Sequence, residues 1–172
     1  NNKTTTTGST SIDPAPASGS SCKAGGTGLN STIKLGAGAE TTFTIFAVDE
    51  FGNAIKEGDY DWTVVLTTID AETGKTYVCN DCATVKKVGG RRRLQAGQLA
   101  YTVTYKTTRA GEVRVAVFLK GKAISGSPFN KTVVPADIDV SKTTASGPGI
   151  KYMIANQVMT FYIEARDTYK NL

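Results

Sequence analysis

A chain of 172 residues with 40% hydrophobic content can hold one packed domain and part of another, which excludes disorder throughout. The net charge of +5 comes with no histidine, so the usual general base and most zinc sites are excluded as well. No apolar run approaches the roughly 20 residues that cross a bilayer, and the first residues lack the charged-then-apolar order of a signal peptide.

Residues 1–20 are Thr, Ser, Gly and Pro with almost nothing apolar, the composition of a linker that cannot offset its own ordering entropy. A first strand is expected near residues 23–29. In residues 42–48, Phe43, Ile45 and Ala47 face one way, and residues 49–53 close the strand with a glycine-containing turn. In residues 60–66, Tyr60, Trp62, Val64 and Leu66 alternate with Asp61, Thr63 and Val65, so one side is a core face with Trp62 as its largest member. Residues 75–88 read as two short strands around a tight corner at Cys79, Asn80, Asp81 and Cys82. Gly89 to Gln95 is a polar, basic loop. Tyr101, Val103 and Tyr105, then Val113, Val115 and Val117, mark two more half-buried strands. The short turn at Arg109, Ala110 and Gly111 suits neighbours in one sheet. Residues 129–134 form a last strand before Pro135. The reading is an all-β, immunoglobulin-like β-sandwich of about seven strands.

The chain also repeats itself. Thr42, Phe43, Ile45, Ala47, Asp49 and Asn53 recur without a gap as Thr160, Phe161, Ile163, Ala165, Asp167 and Asn171. Gly26, Thr27, Gly28 and Leu29 recur as Gly147, Pro148, Gly149 and Ile150. Three segments follow: a linker and repeat tail over 1–20, one complete repeat over 21–136, and the opening strands of the next over 137–172. Lys170 stands where the first copy has Gly52, which leaves the second turn free to differ.

Those residues carry a family likeness. Gly26 to Leu29, the D-x-x-G-N of residues 49–53, the Y-x-V-x-Y of residues 101–105, Ala110 with Gly111, the I-S-G-S-P-F of residues 124–129, and Pro135 with Ala136 together resemble the filamin-type repeat. The longer region between the third and fifth strands, with its cysteine pair and arginine cluster, departs from that pattern. The resemblance implies a spacer and docking module without a reaction. In its best-known members a partner strand adds beside the third and fourth strands; similar repeats also occur in surface proteins.

Several residues invite a further role. Cys79 and Cys82 admit three readings: a disulfide stapling the hairpin corner, reduced thiols, or metal and redox work. The β surroundings and missing ligands weigh against the last. Cys22 is then left to pair outside this segment. Asn2, Asn30 and Asn130 each open an N-glycan sequon, and with the Thr/Ser/Pro linker they favour an extracellular or surface setting over a cytoplasmic one. Asp49, Asp59 and Asp61 are a weak calcium cluster with no EF-hand spacing. Arg91, Arg92 and Arg93, with Lys86 and Lys87, carry most of the excess charge, yet lack the interleaved aromatics of a nucleic-acid surface. Partners are therefore expected to be other chains or neighbouring repeats, not nucleic acid or membrane. The third strand, residues 60–66, is the expected open edge, with small outward Thr63, Val65 and Thr67 as the partner-binding side chains. No nucleophile, base and orienting group can be assembled, and no cofactor is expected.

Overall fold

The computed structural model describes residues 13–88 and 98–172. Its strands, in chain order, are β1 (Lys23–Gly25), β2 (Leu35–Gly36), β3 (Thr41–Phe46), β4 (Trp62–Asp70), β5 (Thr76–Cys79) and β6 (Ala83–Lys87). There follow β7 (Ala100–Tyr105), β8 (Gly111–Leu119), β9 (Lys122–Ala123), β10 (Phe129–Val134), β11 (Thr144–Ser146) and β12 (Tyr162–Glu164). Two sheets face each other. One runs β1-β3-β7-β6 and the other β2-β10-β8-β4-β5, with β9 folded back on β8. This is an immunoglobulin-like β-sandwich, and its two-residue pieces β2 and β9 are the ones that alternation is too short to reveal.

Period-two alternation decides what is inside. Phe43, Ile45, Tyr101, Val103 and Tyr105 from one sheet meet Val64, Leu66, Val113, Val115 and Val117 from the other, and all are buried. Each contributes about 1.5–3 kcal/mol by leaving water. Trp62 faces inward as its phase requires, but it sits at the end of β4 and stays half-buried. There its ring meets Tyr101 edge-on, centroids 5.5 Å apart, so it caps the core that Tyr105, the largest fully buried side chain, fills. Cys22 is wholly buried, its thiol bonded to the Val48 backbone, which leaves it no route to an outside partner. Burial also pushes that thiol's pKa up.

Two expectations about pairing are overturned, and a third holds over part of a strand. The turn at Arg109 to Gly111 does not join neighbours: β7 and β8 lie in different sheets, so this is a crossing between layers. The cysteine corner crosses too, from β5 in one sheet to β6 in the other, and is not a hairpin. The third strand is an open edge over Trp62 to Val65 but not beyond. β4 pairs with β8 from Trp62 to Asp70 and with β5 from Leu66 to Ile69, so β5 takes the outer position.

The second copy repeats the first in detail. β11 pairs with β12 in the register of β1 with β3, Ala145 opposite Ile163 as Ala24 lies opposite Ile45. Gly26 (φ 133°) and Gly147 (φ 121°) each precede a three-residue 3-10 turn. The turn at residues 167–171 also matches, because Lys170 accepts a φ of 69° where Gly52 has 88°. In each turn the aspartate amide bonds the asparagine carbonyl at 3.0 Å. What differs is cover: Phe161 and Ile163 are exposed where their first-copy counterparts, Phe43 and Ile45, are buried against a second sheet.

Candidate functional site

β5 and β6 are the last strands of their sheets on the same side of the sandwich. Among the described residues, β5 pairs only with β4 and β6 only with β7, so each offers an unpaired backbone edge. The crossing between them is stapled, since Cys79 and Cys82 are joined in a disulfide. Between the edges lies a groove of about 460 Å³, lined by Thr68, Tyr77, the disulfide, Thr84, Tyr105 and Arg109. The Arg109 guanidinium stands 3.6 Å from the Tyr77 ring centroid and 3.5 Å from an Asp70 oxygen, which holds a cation over the aromatic wall. Hydrogen bonds from Thr73, with Arg109 nearby, lower the Asp70 pKa. Tyr105 donates its hydroxyl to the Gly28 carbonyl at 2.5 Å, and burial pushes that phenol up to about 12. It is a structural pin at the groove's base.

The sequence-expected site residues divide. Thr63 and Val65 lie on the half of β4 paired only with β8, opposite Phe118 and Ala116, while Thr67 is paired on both sides, with Arg114 and Val78. A strand could therefore add beside Thr63 and Val65 but not beside Thr67. Exposed Val78 on β5 takes the outer place instead, and alternation could not name it because edge position is a property of the sheet. Asn30 is exposed, and its side-chain oxygen accepts the backbone N–H and the hydroxyl of Thr32, at 2.9 and 2.7 Å. Asn130 is exposed on β10. Asn2 and the Arg91–93 cluster lie outside the described residues.

One residue escaped the sequence reading. Lys131 is buried, and its ammonium donates to the carbonyls of Thr27 (3.1 Å) and Asn30 (2.7 Å), tying the first 3-10 turn to β10. Burial lowers its pKa. The signal was available: Lys131 takes the inward phase shared by Phe129 and Val133.

Asp49 is not arranged as a cation ligand. Its carboxylate accepts N–H bonds from Ala15, Phe51 and Asn53, and a further one from the Asn53 side chain. Asp167 does the same with Ala136, Tyr169 and Asn171. Burial pushes both carboxyls up, but these donors outweigh it and leave both pKa values lowered. A lowered folded-state pKa stabilises above the unfolded carboxylate value, about 4, and that stabilisation disappears as pH falls through the folded value. Thermal unfolding followed from neutral pH downwards should therefore show a steep loss of Tm below about pH 4. In Asp49→Asn that acid limb should flatten, with a lower Tm at neutral pH.

The family comparison agrees with this geometry. Residues 16–130 match the Filamin/ABP280 repeat model. Filamin-C of Rattus norvegicus and that of Mus musculus are each 34% identical over 71 residues, which is 41% of this chain and 3% of the relative's length. Among solved structures, the Escherichia coli adhesin FdeC superposes with a TM-score of 0.57 at 20% identity, over 92% of this chain and 44% of that one. The Lin-41 filamin domain covers 70% of this chain and 98% of its own length, with a TM-score of 0.45 and 18% identity. The match over residues 16–130, on a sandwich with this strand order, makes the chain a member of the filamin repeat family.

Proposed function

We propose that this is a non-catalytic spacer and docking module of a multidomain extracellular or surface filament or adhesion protein. Residues 21–136 form its complete repeat and residues 137–172 open the next. The observation that carries the docking role is the pair of open edges, β5 and β6, flanking one groove at a stapled crossing. Backbone pairing supplies affinity at such an edge, and the Tyr77–Arg109 wall supplies selectivity. The covalent staple and the two exposed sequons, Asn30 and Asn130, favour an oxidising, glycosylating compartment. The second reading, a cytoplasmic scaffold that recruits partner tails, is favoured by the Filamin-C likeness.

Cross-linking mass spectrometry on the native assembly tests both parts. Lys75, Lys86 and Lys106, exposed around the groove, should cross-link to another chain or a neighbouring repeat. The same digest should yield a glycopeptide at Asn30 or Asn130 and a disulfide-linked Cys79–Cys82 peptide. Bare asparagines with reduced cysteines would move the reading to the cytoplasmic scaffold. Cross-links confined to lysines remote from β5 and β6 would remove the docking edge.

A further inference from the structure

The second copy docks its turn on the first repeat. Tyr169 lies against Gly38, its ring and hydroxyl occupying the space where a side chain at position 38 would begin. Asn171 accepts the Ala110 N–H at 3.0 Å and donates to the Thr108 carbonyl at 2.9 Å. Gly38, Thr108 and Ala110 thus form a socket on one repeat that the turn of the next repeat enters. Arg166 adds a forked pair of bonds to Glu72, at 2.9 and 3.1 Å.

The same turn exists on the first copy, and among the described residues nothing lies in its grip. Residues 49–53 reproduce the aspartate-centred hydrogen bonds of residues 167–171 donor for donor, so the residues at equivalent places point alike. Phe51 holds the place of Tyr169 and is 76% exposed, against 43% for Tyr169 in its socket. Asn53 holds the place of Asn171, is exposed, and bonds only within its own turn among the described residues. A single exposed apolar ring is ordinary on a protein surface, but this one stands at the register of a ring that is engaged.

The approach of the chain is also the same. Ala15 donates to Asp49 at 3.1 Å as Ala136 donates to Asp167 at 2.8 Å, and each alanine follows a proline, Pro14 and Pro135. A folded unit joined through Pro14 is therefore delivered to the Phe51 turn as the complete repeat is delivered to the Tyr169 turn.

We propose that Phe51 and Asn53 are a docking pad for another repeat of this type, which presents to them the surface that Gly38, Thr108 and Ala110 form here. The proposal rests on the tandem-repeat reading and deepens it by naming the partner surface. Val48 stands where Arg166 stands, so this junction lacks the Glu72 ion pair and is the weaker of the two. Arrays built this way have a repeat-to-repeat angle set by one turn and one socket.

Nuclear magnetic resonance on the full chain tests it. Isotope-labelled wild-type chain is titrated with unlabelled chain carrying Tyr169→Ser and Asn171→Ala, whose socket is uncovered. A contact that holds at the effective concentration of a short linker, on the order of mM, is populated in trans when the unlabelled chain reaches about 1 mM. The amides of Phe51, Gly52 and Asn53 should then shift. The shift should be several-fold smaller with unlabelled wild type, whose socket is covered, and absent when the labelled chain carries Phe51→Ser and Asn53→Ala. No shift at residues 51–53, or equal shifts with covered and uncovered sockets, overturns the pad. The Ala110 amide of the double variant reports the socket itself. If it does not move on substitution, the junction is absent and the tandem reading fails with it, an outcome distinct from an open socket that the pad ignores. Tyr169→Ser alone serves if the double variant does not fold.

Discussion

Gly111→Ala should unfold the sandwich or bring it close to unfolding, a loss above about 4 kcal/mol against a total stability of about 5–15 kcal/mol. Gly111 opens β8 immediately after the crossing from β7, at a φ of 140° that side-chain-bearing residues rarely adopt. That conformation alone costs an alanine about 1–3 kcal/mol. Sterics add more, because a Cβ built there falls on the Ile69 carbonyl oxygen and within 2.9 Å of the Ala71 nitrogen. Both obstacles are backbone, and β8 is held between β4 and β10, so neither side can yield without breaking a ladder. Gly52→Ala is the control. Its φ of 88° is also positive, but a Cβ there meets nothing within 4 Å, so the cost should stay near 1–2 kcal/mol. Urea midpoints of the two variants separate the cases, and equal losses would mean that the crossing is not the tight contact described.

Tyr105→Ala should cost about 3–5 kcal/mol, the range for emptying a buried aromatic site. The ring is 1% exposed and meets Phe43 edge-on with centroids 6.1 Å apart. Tyr105→Phe separates packing from polarity. It keeps the ring but leaves the Gly28 carbonyl without its donor, which should cost about 1–3 kcal/mol. Gly28 cannot move to compensate, since its Cα faces the Thr42 carbonyl so closely that an added Cβ would lie 2.6 Å from the oxygen. Denaturation of the two variants with unchanged urea dependence would support this division. A Tyr105→Phe protein as stable as wild type would show that the hydroxyl bond carries no net weight.

The two effects bear on the candidate groove as well as on the core. Tyr105 lines the groove from within, and the crossing that ends at Gly111 carries Arg109 to its wall. The docking surface is thus built from the residues that hold the two sheets in place, and a variant that loosens either should widen the gap between β5 and β6.

Alternation within each strand settled the inward residues before any tertiary information, because side chains in a strand can point only two ways. Phe43, Ile45, Val64, Val103, Val113, Val115 and Val117 follow it without exception. The internal repeat told more: it announced the opening strands of a second copy, and β11 and β12 pair as β1 and β3 do. The turn at residues 167–171, left free to differ at Lys170, closes like the first because its aspartate and asparagine make the same bonds. Sheet membership was not legible. The turn before Gly111 and the corner at Cys79–Cys82 have lengths that serve a hairpin or a crossing equally well, and the choice is made by which sheet has an open place for the next strand. For the same reason the third strand was readable as a strand, but not as one whose Leu66 to Ile69 half is interior while Trp62 to Val65 keeps an open side, because β5 must first fold against it. Trp62 was readable as inward but not as a cap, and Cys22 as a cysteine but not as core, because depth depends on what the opposite sheet lays over each position. Local periodicity sets direction, and only the packing of one layer on another sets burial, edges and sites.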